Sequence, residues 1–368
     1  MNIRSISWVI VAAITFGLGS AAAKADEKES YSAAIDHFVF DFAIPTYANF
    51  QASTEKLDQL VESLCATSTP AALNSVKVAF RNTVLSWSVA EVIRFGPVRE
   101  KNRIERIFFW PDTRSRVQKS VNAQLGATHE NLIAPTTLLS GRTVAIQGLP
   151  ALEVLLFRGD SDRLAMEGGD ATRCAFAKAI SNNLVNISRE IFVAWHSPDA
   201  FQETIRTAGP DNPRFRSDAE VIQEILKSGA EMTELISAVK LRPALGDTAK
   251  KSKPKRAAFW RSGLTLENIQ ANISGLVALQ EKSRLSDLLP EAERGYARNL
   301  LFDARQVENT LTKLIDEKKP WKEQVTETNS RTLLLYLLNP LGGVKDILSI
   351  YYPEILGLQL GFNSLDGD

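Results

Sequence analysis

The sequence has no excess of charge of either sign. Over 368 residues, 43 basic side chains balance 43 acidic ones. Removing the first 25 residues, which hold Arg4 and Lys24 but no acid, leaves 41 basic and 43 acidic residues. A nucleic-acid-binding surface needs a large basic excess, so this balance argues against one. With 44% hydrophobic residues, the chain is also unlike a disordered or fibrous protein.

Cysteine is scarce, since the chain has only Cys65 and Cys174, 109 positions apart. Neither belongs to a C-x-x-C motif, which argues against a redox pair or a thiolate metal site. An even cysteine count in an exported chain favours one structural disulfide between the two. Two buried free thiols are the alternative.

Histidine is also rare, with three residues: His37, His129 and His196. The chain has no H-E-x-x-H zinc motif, no G-x-S-x-G nucleophile elbow and no glycine-rich loop with a phosphate-binding lysine. A lone histidine is more often structural or exposed than a metal ligand. His37 is the best candidate ligand because it lies in an apolar segment near Phe38 and Phe42.

Long apolar runs are absent beyond the amino terminus. After Arg4, the run from Trp8 to Gly19 is too short to span a bilayer, and Ala23-Lys24-Ala25 forms a small-x-small cleavage site. We therefore expect residues 1–25 to be a signal peptide cleaved near Ala25, which yields a periplasmic or secreted protein. The next apolar block, 333–338, is six residues long and predicts core packing, so no transmembrane segment is expected in the mature chain.

The hydrophobic pattern is helical nearly everywhere. Inward positions recur every three or four residues in the segment that holds Trp87 and Glu91, and no convincing alternating strand is present. A glycine- and proline-rich cluster, 209–213, marks a boundary near the middle of the mature chain. We predict an all-α protein with two tandem four-helix-bundle-like domains, 26–209 and 214–368. The basic loop 250–256 (KKSKPKR) is interpreted as a solvated connection, with an anion or membrane-surface contact as the alternative.

Two short patterns occur once in each half. The pattern I-x-G-L-x-A-L-[E/Q] spans 146–153 and again 273–280, and R-x-x-F-W precedes it at 106–110 and at 256–260. The same order in both halves suggests a pseudo-duplication. Gln280 stands where the first copy has Glu153, so at most one copy is expected to carry an ionic site.

Several segments in order form a recognisable pattern: WSVAEVIRFGP at 87–97, FWPD at 109–112, GLPALEVLLF at 148–157, FWRSGLTLENIQAN at 259–272 and GLQLGFNSLDGD at 357–368. Together they resemble imelysin-like proteins over roughly residues 30 to 368. The resemblance implies a bacterial exported protein of two four-helix bundles. It also implies an association with iron-regulated uptake, and some family members are described as metallopeptidases with a G-x-H-x-x-E signature.

That signature is altered in this chain. Gly148 and Glu153 match it, but Pro150 replaces the histidine, and proline can neither bind a metal nor donate a backbone hydrogen bond. Either a helix begins near Pro150, or a helix kinks there and leaves the carbonyl of Ile146 unpaired. The missing histidine argues against a zinc-peptidase site, which usually needs three protein ligands, and favours a protein that is not an enzyme.

Two carboxylates lie in apolar surroundings. Glu153 is the only charge between Arg142 and Arg158, so it is expected to be buried and to be paired, hydrogen-bonded or protonated. Glu91 has Arg94 three residues away, within reach of an intrahelical ion pair. The alternative places Trp87, Glu91, Arg94 and Glu153, with Gly148 and Pro150 nearby, around one ligand pocket. Asp112 is interpreted as a helix cap rather than as a member of this site.

These observations predict an exported, non-catalytic ligand-binding or accessory component in metal or iron acquisition. The candidate metal ligands are Glu153 and Glu91, for a divalent or ferric ion. The first alternative is a metallopeptidase that uses Glu91, Glu153 and His37. The second is a periplasmic scaffold that binds another exported or outer-membrane protein.

Overall fold

The computed structural model describes residues 31–127, 134, 138–166 and 170–358. Within these ranges every regular element is helical and no strand occurs, which confirms the predicted all-α class. The predicted signal peptide and His129 lie outside the described residues. The ten helices longer than eight residues are α1 (Ile44–Ala66), α2 (Pro70–Ala90), α3 (Arg116–Leu125), α4 (Gly148–Phe157), α5 (Ala171–His196), α6 (Asp218–Glu234), α7 (Thr265–Lys282), α8 (Gly295–Asp316), α9 (Thr328–Tyr336) and α10 (Leu338–Asp346).

Side-chain caps define where several of these helices begin. The Thr69 hydroxyl accepts a hydrogen bond from the Ala72 N–H at the start of α2, and Asp170 accepts one from Arg173 at the start of α5. Glu327 accepts two such bonds before α9. Each cap satisfies a backbone donor that the helix itself leaves free.

The first half of the chain forms a bundle around α1. Helices α2 and α5 pack along both sides of α1, and α4 packs against α5. The core is aromatic, with the Phe50 and Trp87 ring centroids 5.3 Å apart and Tyr47 stacked on Trp195. A disulfide joins Cys65 of α1 to Cys174 of α5, which confirms the predicted pairing.

The second half forms another bundle, from α6, α7, α8 and α10. The two bundles share a continuous core because α2 packs directly on α7. Gly275 of α7 permits this approach, since a Cβ atom there would lie 3.0 Å from the backbone oxygen of Val89 in α2. The division into two duplicated domains stays a prediction.

One stretch among the described residues, Thr328–Ile355, has the length and apolar composition of a helix that could cross a membrane. Buried core helices of soluble proteins share these properties. Pro340, Leu341 and Val344 are buried in α10, which packs on α6 and α8. The expectation of no transmembrane segment in the mature chain stays a prediction.

Candidate functional site

A pocket of about 830 Å³ lies between the two halves of the chain. We call it the junction pocket. Its walls come from segments 108–122 and 150–159 of the first half and 239–243 and 255–261 of the second. Its size falls in the range of small-molecule sites.

The two R-x-x-F-W segments face each other at this pocket. Phe108, beside the first copy's Phe109 and Trp110, stacks on Phe259 of the second copy with ring centroids 4.9 Å apart. Trp110 stacks on Phe108 at 5.8 Å, and Trp260 also lines the pocket. The repeated R-x-x-F-W pattern therefore corresponds to one aromatic wall to which both halves contribute.

The altered signature forms the start of α4. Gly148 has a φ of +63°, and a Cβ atom there would collide with the backbone carbonyl oxygens of Arg106 and Ile107. Pro150 lies in the first turn of α4, where its missing N–H breaks no intrahelical bond. The helix therefore begins at the signature rather than kinking there, as the first of the two alternatives predicted.

Glu153 projects into the junction pocket one turn after Pro150 and is 3% exposed. Its Oε1 accepts hydrogen bonds from the Ser262 N–H at 2.9 Å and the Ser262 hydroxyl at 2.8 Å. Arg261 Nη1 lies 4.0 Å from Oε2. Burial raises the pKa of Glu153, and the Ser262 hydrogen bonds and Arg261 oppose this shift.

Asp112 also lines the pocket, but its carboxylate serves the backbone. Its two oxygens accept hydrogen bonds from the Arg116 and Val117 N–H groups, each at 2.8 Å. This is the capping role expected for Asp112, at the start of α3.

Cationic side chains complete the lining. Arg261 lies over the Trp260 ring at 4.4 Å and donates to Gln118, and Lys255 Nζ lies 5.5 Å from the same ring. Arg158 and Arg256 also line the pocket. The pocket thus combines four cations with two carboxylates.

Glu91 lies in a different place, a buried polar network beside the pocket. Lys240 Nζ donates to Glu91 Oε2 at 2.7 Å and to the side-chain oxygens of Asn268 and Asn272. Phe108 separates this network from the pocket, because Lys240 Nζ lies 5.5 Å from its ring centroid. Glu91 therefore pairs with Lys240 and not with Arg94, which corrects the intrahelical pair considered above.

The remaining predicted site residues do not line the junction pocket. Trp87 is buried against Phe50, and Arg94 pairs with Glu231 at 3.5 Å. His37 contacts Asp41 at 2.6 Å within its own helix. The structure therefore brings Gly148, Pro150 and Glu153 together and leaves the other predicted residues apart.

The second copy of the I-x-G-L-x-A-L-[E/Q] pattern has a different structure. Gln280, the counterpart of Glu153, is buried and donates to the Tyr352 hydroxyl at 2.8 Å. Gly275, the counterpart of Gly148, lies in the middle of α7 instead of at a helix start. The first copy of this pattern is therefore the one with an ionisable side chain.

The family model for imelysin matches residues 43–347. The chain belongs to the imelysin family. Among the solved structures that share its fold are two proteins. An imelysin-like protein from Psychrobacter arcticum 273-4 is 19% identical, with a TM-score of 0.72 over 91% of this chain and 98% of that one. A protein from Parabacteroides distasonis ATCC 8503, named as an iron-regulated protein A precursor, is 14% identical, with a TM-score of 0.69 over 89% of this chain and 95% of that one. No curated protein matches the sequence.

The donors around Glu153 do not fit a catalytic metal centre of the kind that this imelysin resemblance implies. Such a centre usually takes three protein ligands, and Pro150 stands where the signature has histidine. The described residues contain no group of three His, Cys, Asp or Glu side chains placed to hold a metal ion. Glu153 and Glu91, the predicted metal ligands, are instead bound by Ser262 and Lys240.

Sequence reasoning missed Lys240, Arg261 and Ser262, and also Asn268 and Asn272, which bind Lys240. Lys240 carried a detectable signal, because it is the only charge in the apolar run 235–241. Arg261 and Ser262 lie inside the segment FWRSGLTLENIQAN that supports the family resemblance, yet nothing local marks them as partners of Glu153.

Proposed function

We propose that the protein is an exported, non-catalytic ligand-binding component of a metal or iron acquisition system. The junction pocket is its ligand site. The observation that carries the proposal is that Pro150 and Glu153 occur together in the lining of this pocket. The signature's glutamate is kept and hydrogen-bonded by Ser262, while the position of its metal-binding histidine is filled by a side chain that cannot bind metal.

The export part of the proposal rests on the amino-terminal sequence and on the cysteines. Residues 1–25 have the composition of a signal peptide. The Cys65–Cys174 disulfide suits an oxidising compartment. The acquisition part rests on family membership and on the name of the Parabacteroides neighbour.

The metallopeptidase alternative has weaker support. Its three ligands, Glu91, Glu153 and His37, have separate partners in Lys240, Ser262 and Asp41. A peptidase would also need a metal-bound water at the substrate. The scaffold alternative leaves the junction pocket without a role.

A growth experiment tests the proposal. A strain that lacks the gene should grow poorly under iron or zinc limitation and normally when both metals are plentiful. The native gene should restore growth, Trp260→Ala should not, and Phe302→Ala should. Phe302 is the matched control because it is an aromatic residue of α8, 61% exposed and outside the pocket lining.

Each contrary result removes a defined part of the proposal. Full rescue by Trp260→Ala would show that the pocket has no role and would favour the scaffold. Normal growth of the deletion strain under both limitations would refute metal acquisition. Chelator-sensitive cleavage of an unfolded protein by the purified chain would favour the metallopeptidase alternative.

A further inference from the structure

We propose that the junction pocket takes an organic anion with a flat apolar body, such as an aromatic carboxylate or sulfonate. This inference rests on the proposed function, because it names the class of ligand for the same pocket. It also favours the anion-contact alternative for the basic loop 250–256, because Lys255 and Arg256 of this loop line the pocket.

The charge around the pocket favours an anion. Four cations line it, against the two carboxylates of Asp112 and Glu153. Both carboxylates already accept hydrogen bonds, the first from two backbone N–H groups and the second from Ser262. A cationic ligand would have to compete with these donors and approach four like charges.

Two of the cations have no acidic partner in the part of the chain that the structure describes. Among the described residues, no carboxylate lies within ion-pair distance of Lys255 or Arg256, both of which are exposed. Arg158, in contrast, is paired with Asp160 at 3.3 Å. Lys255 and Arg256 can therefore form charge-assisted hydrogen bonds to a ligand without breaking an existing ion pair.

The aromatic lining favours a flat apolar body beside the charged group. Trp110 and Trp260 are both half-buried and line the pocket from opposite halves of the chain. Aromatic rings of this kind stack on planar ligands, and cations held over a ring remain close to the stacked group. Arg261 and Lys255 already occupy such positions over Trp260.

The state of Glu153 is compatible with an anion nearby. Burial raises the pKa of Glu153, which favours its neutral form and lessens its repulsion of a ligand carboxylate or sulfonate. Arg261 Nη1 lies 4.0 Å from Glu153 Oε2 and also compensates the negative charge of Glu153 when that carboxyl group is ionised.

A matched pair of fluorescent probes tests the proposal. The first is 8-anilinonaphthalene-1-sulfonate, and the second is N-phenyl-1-naphthylamine, which has the same ring system without the sulfonate. Titrated against the exported protein, the sulfonate should bind at least about tenfold more tightly, as expected for one charge-assisted hydrogen bond. This preference should fall as ionic strength rises.

Two double variants of the basic loop separate the pocket from general charge. Lys255→Gln with Arg256→Gln should reduce the preference for the sulfonate to near parity. Lys250→Gln with Lys251→Gln removes the same charge from the same loop but from exposed residues outside the pocket lining, so the preference should persist. Trp260→Ala should weaken both probes alike.

The outcomes separate this inference from the function beneath it. If both probes bind equally, or both double variants act equally, the ligand is not selected as an anion, although the pocket still binds ligands. If neither probe binds, this inference fails. If Trp260→Ala also restores growth of the deletion strain under metal limitation, the ligand-binding function fails with it.

Discussion

Lys240 and Glu91 form a buried ion pair across the junction of the two halves, with 2.7 Å between Nζ and Oε2. Both side chains are at most 4% exposed. Asn268 and Asn272 accept the remaining Lys240 hydrogen bonds, so every donor of the ammonium group has a partner. Such pairs are costly to break because the surviving charge is left without a partner in the core.

We therefore expect Lys240→Met to lower the free energy of unfolding by about 3 to 5 kcal/mol. Adding Glu91→Leu to Lys240→Met should recover most of this loss, because no buried charge then remains. The control is Arg81→Met, which breaks a surface pair with Glu267 and should cost less than about 1 kcal/mol. Urea unfolding of the variants measures these values, and equal losses for Lys240→Met and Arg81→Met would contradict the interpretation.

Glu153 should make stability depend on pH. Because burial raises the native pKa of Glu153 above its ordinary value of 4.5, this group favours the folded state below that pH. The contribution is lost as pH rises through the raised native pKa. Native protein should therefore lose stability relative to Glu153→Gln as pH is raised from 4.5.

The measurement is urea unfolding of both proteins at a series of pH values upward from 4.5. Ser262→Ala offers an internal check, since it removes one hydrogen bond that favours the carboxylate and should enlarge the loss. Parallel curves for native protein and Glu153→Gln would show that folding leaves this carboxyl unperturbed.

Pro150→His should create a metal site that the described residues of the native chain do not form. The imidazole would project into the junction pocket on the same face of α4 as Glu153. We expect zinc to bind this variant at least about tenfold more tightly than native protein, because the new side chain adds a metal ligand. Loss of the proline should cost no more than about 1 kcal/mol.

Isothermal titration of zinc into the two proteins measures the gain. Pro150→His combined with Glu153→Gln should bind zinc as weakly as the native chain, if Glu153 is the second ligand. Unchanged zinc affinity in Pro150→His would show that the two positions cannot share an ion.

Gly148 and Gly342 should respond in opposite ways to alanine. Gly148→Ala combines a positive φ with a backbone collision, and we expect a loss of at least about 2 kcal/mol. Gly342 lies inside α10 with open space around its Cα, so Gly342→Ala should stabilise by about 0.4 to 1 kcal/mol. Thermal unfolding distinguishes them, and a neutral Gly148→Ala would contradict the requirement for glycine.

The sequence predicted the elements better than their partners. Helical periodicity, proline and glycine breaks and the cysteine count were enough for the all-α class and the disulfide, because these signals are local or few. The burial of Glu153 and Glu91 followed from their apolar neighbours. Their partners, Ser262 and Lys240, did not follow, since each lies more than 100 residues away and pairing at that distance depends on how the helices pack.

The stacking of Phe108 on Phe259 also means that neither half of the chain forms the junction pocket alone. The first half supplies Trp110, Glu153 and one cation, while the second half supplies Trp260, three cations and Ser262, the donor to Glu153. A fragment that ends at the boundary would present a single open aromatic surface. The junction pocket is thus a property of the entire polypeptide, and a shift of one bundle against the other would change the width of its opening.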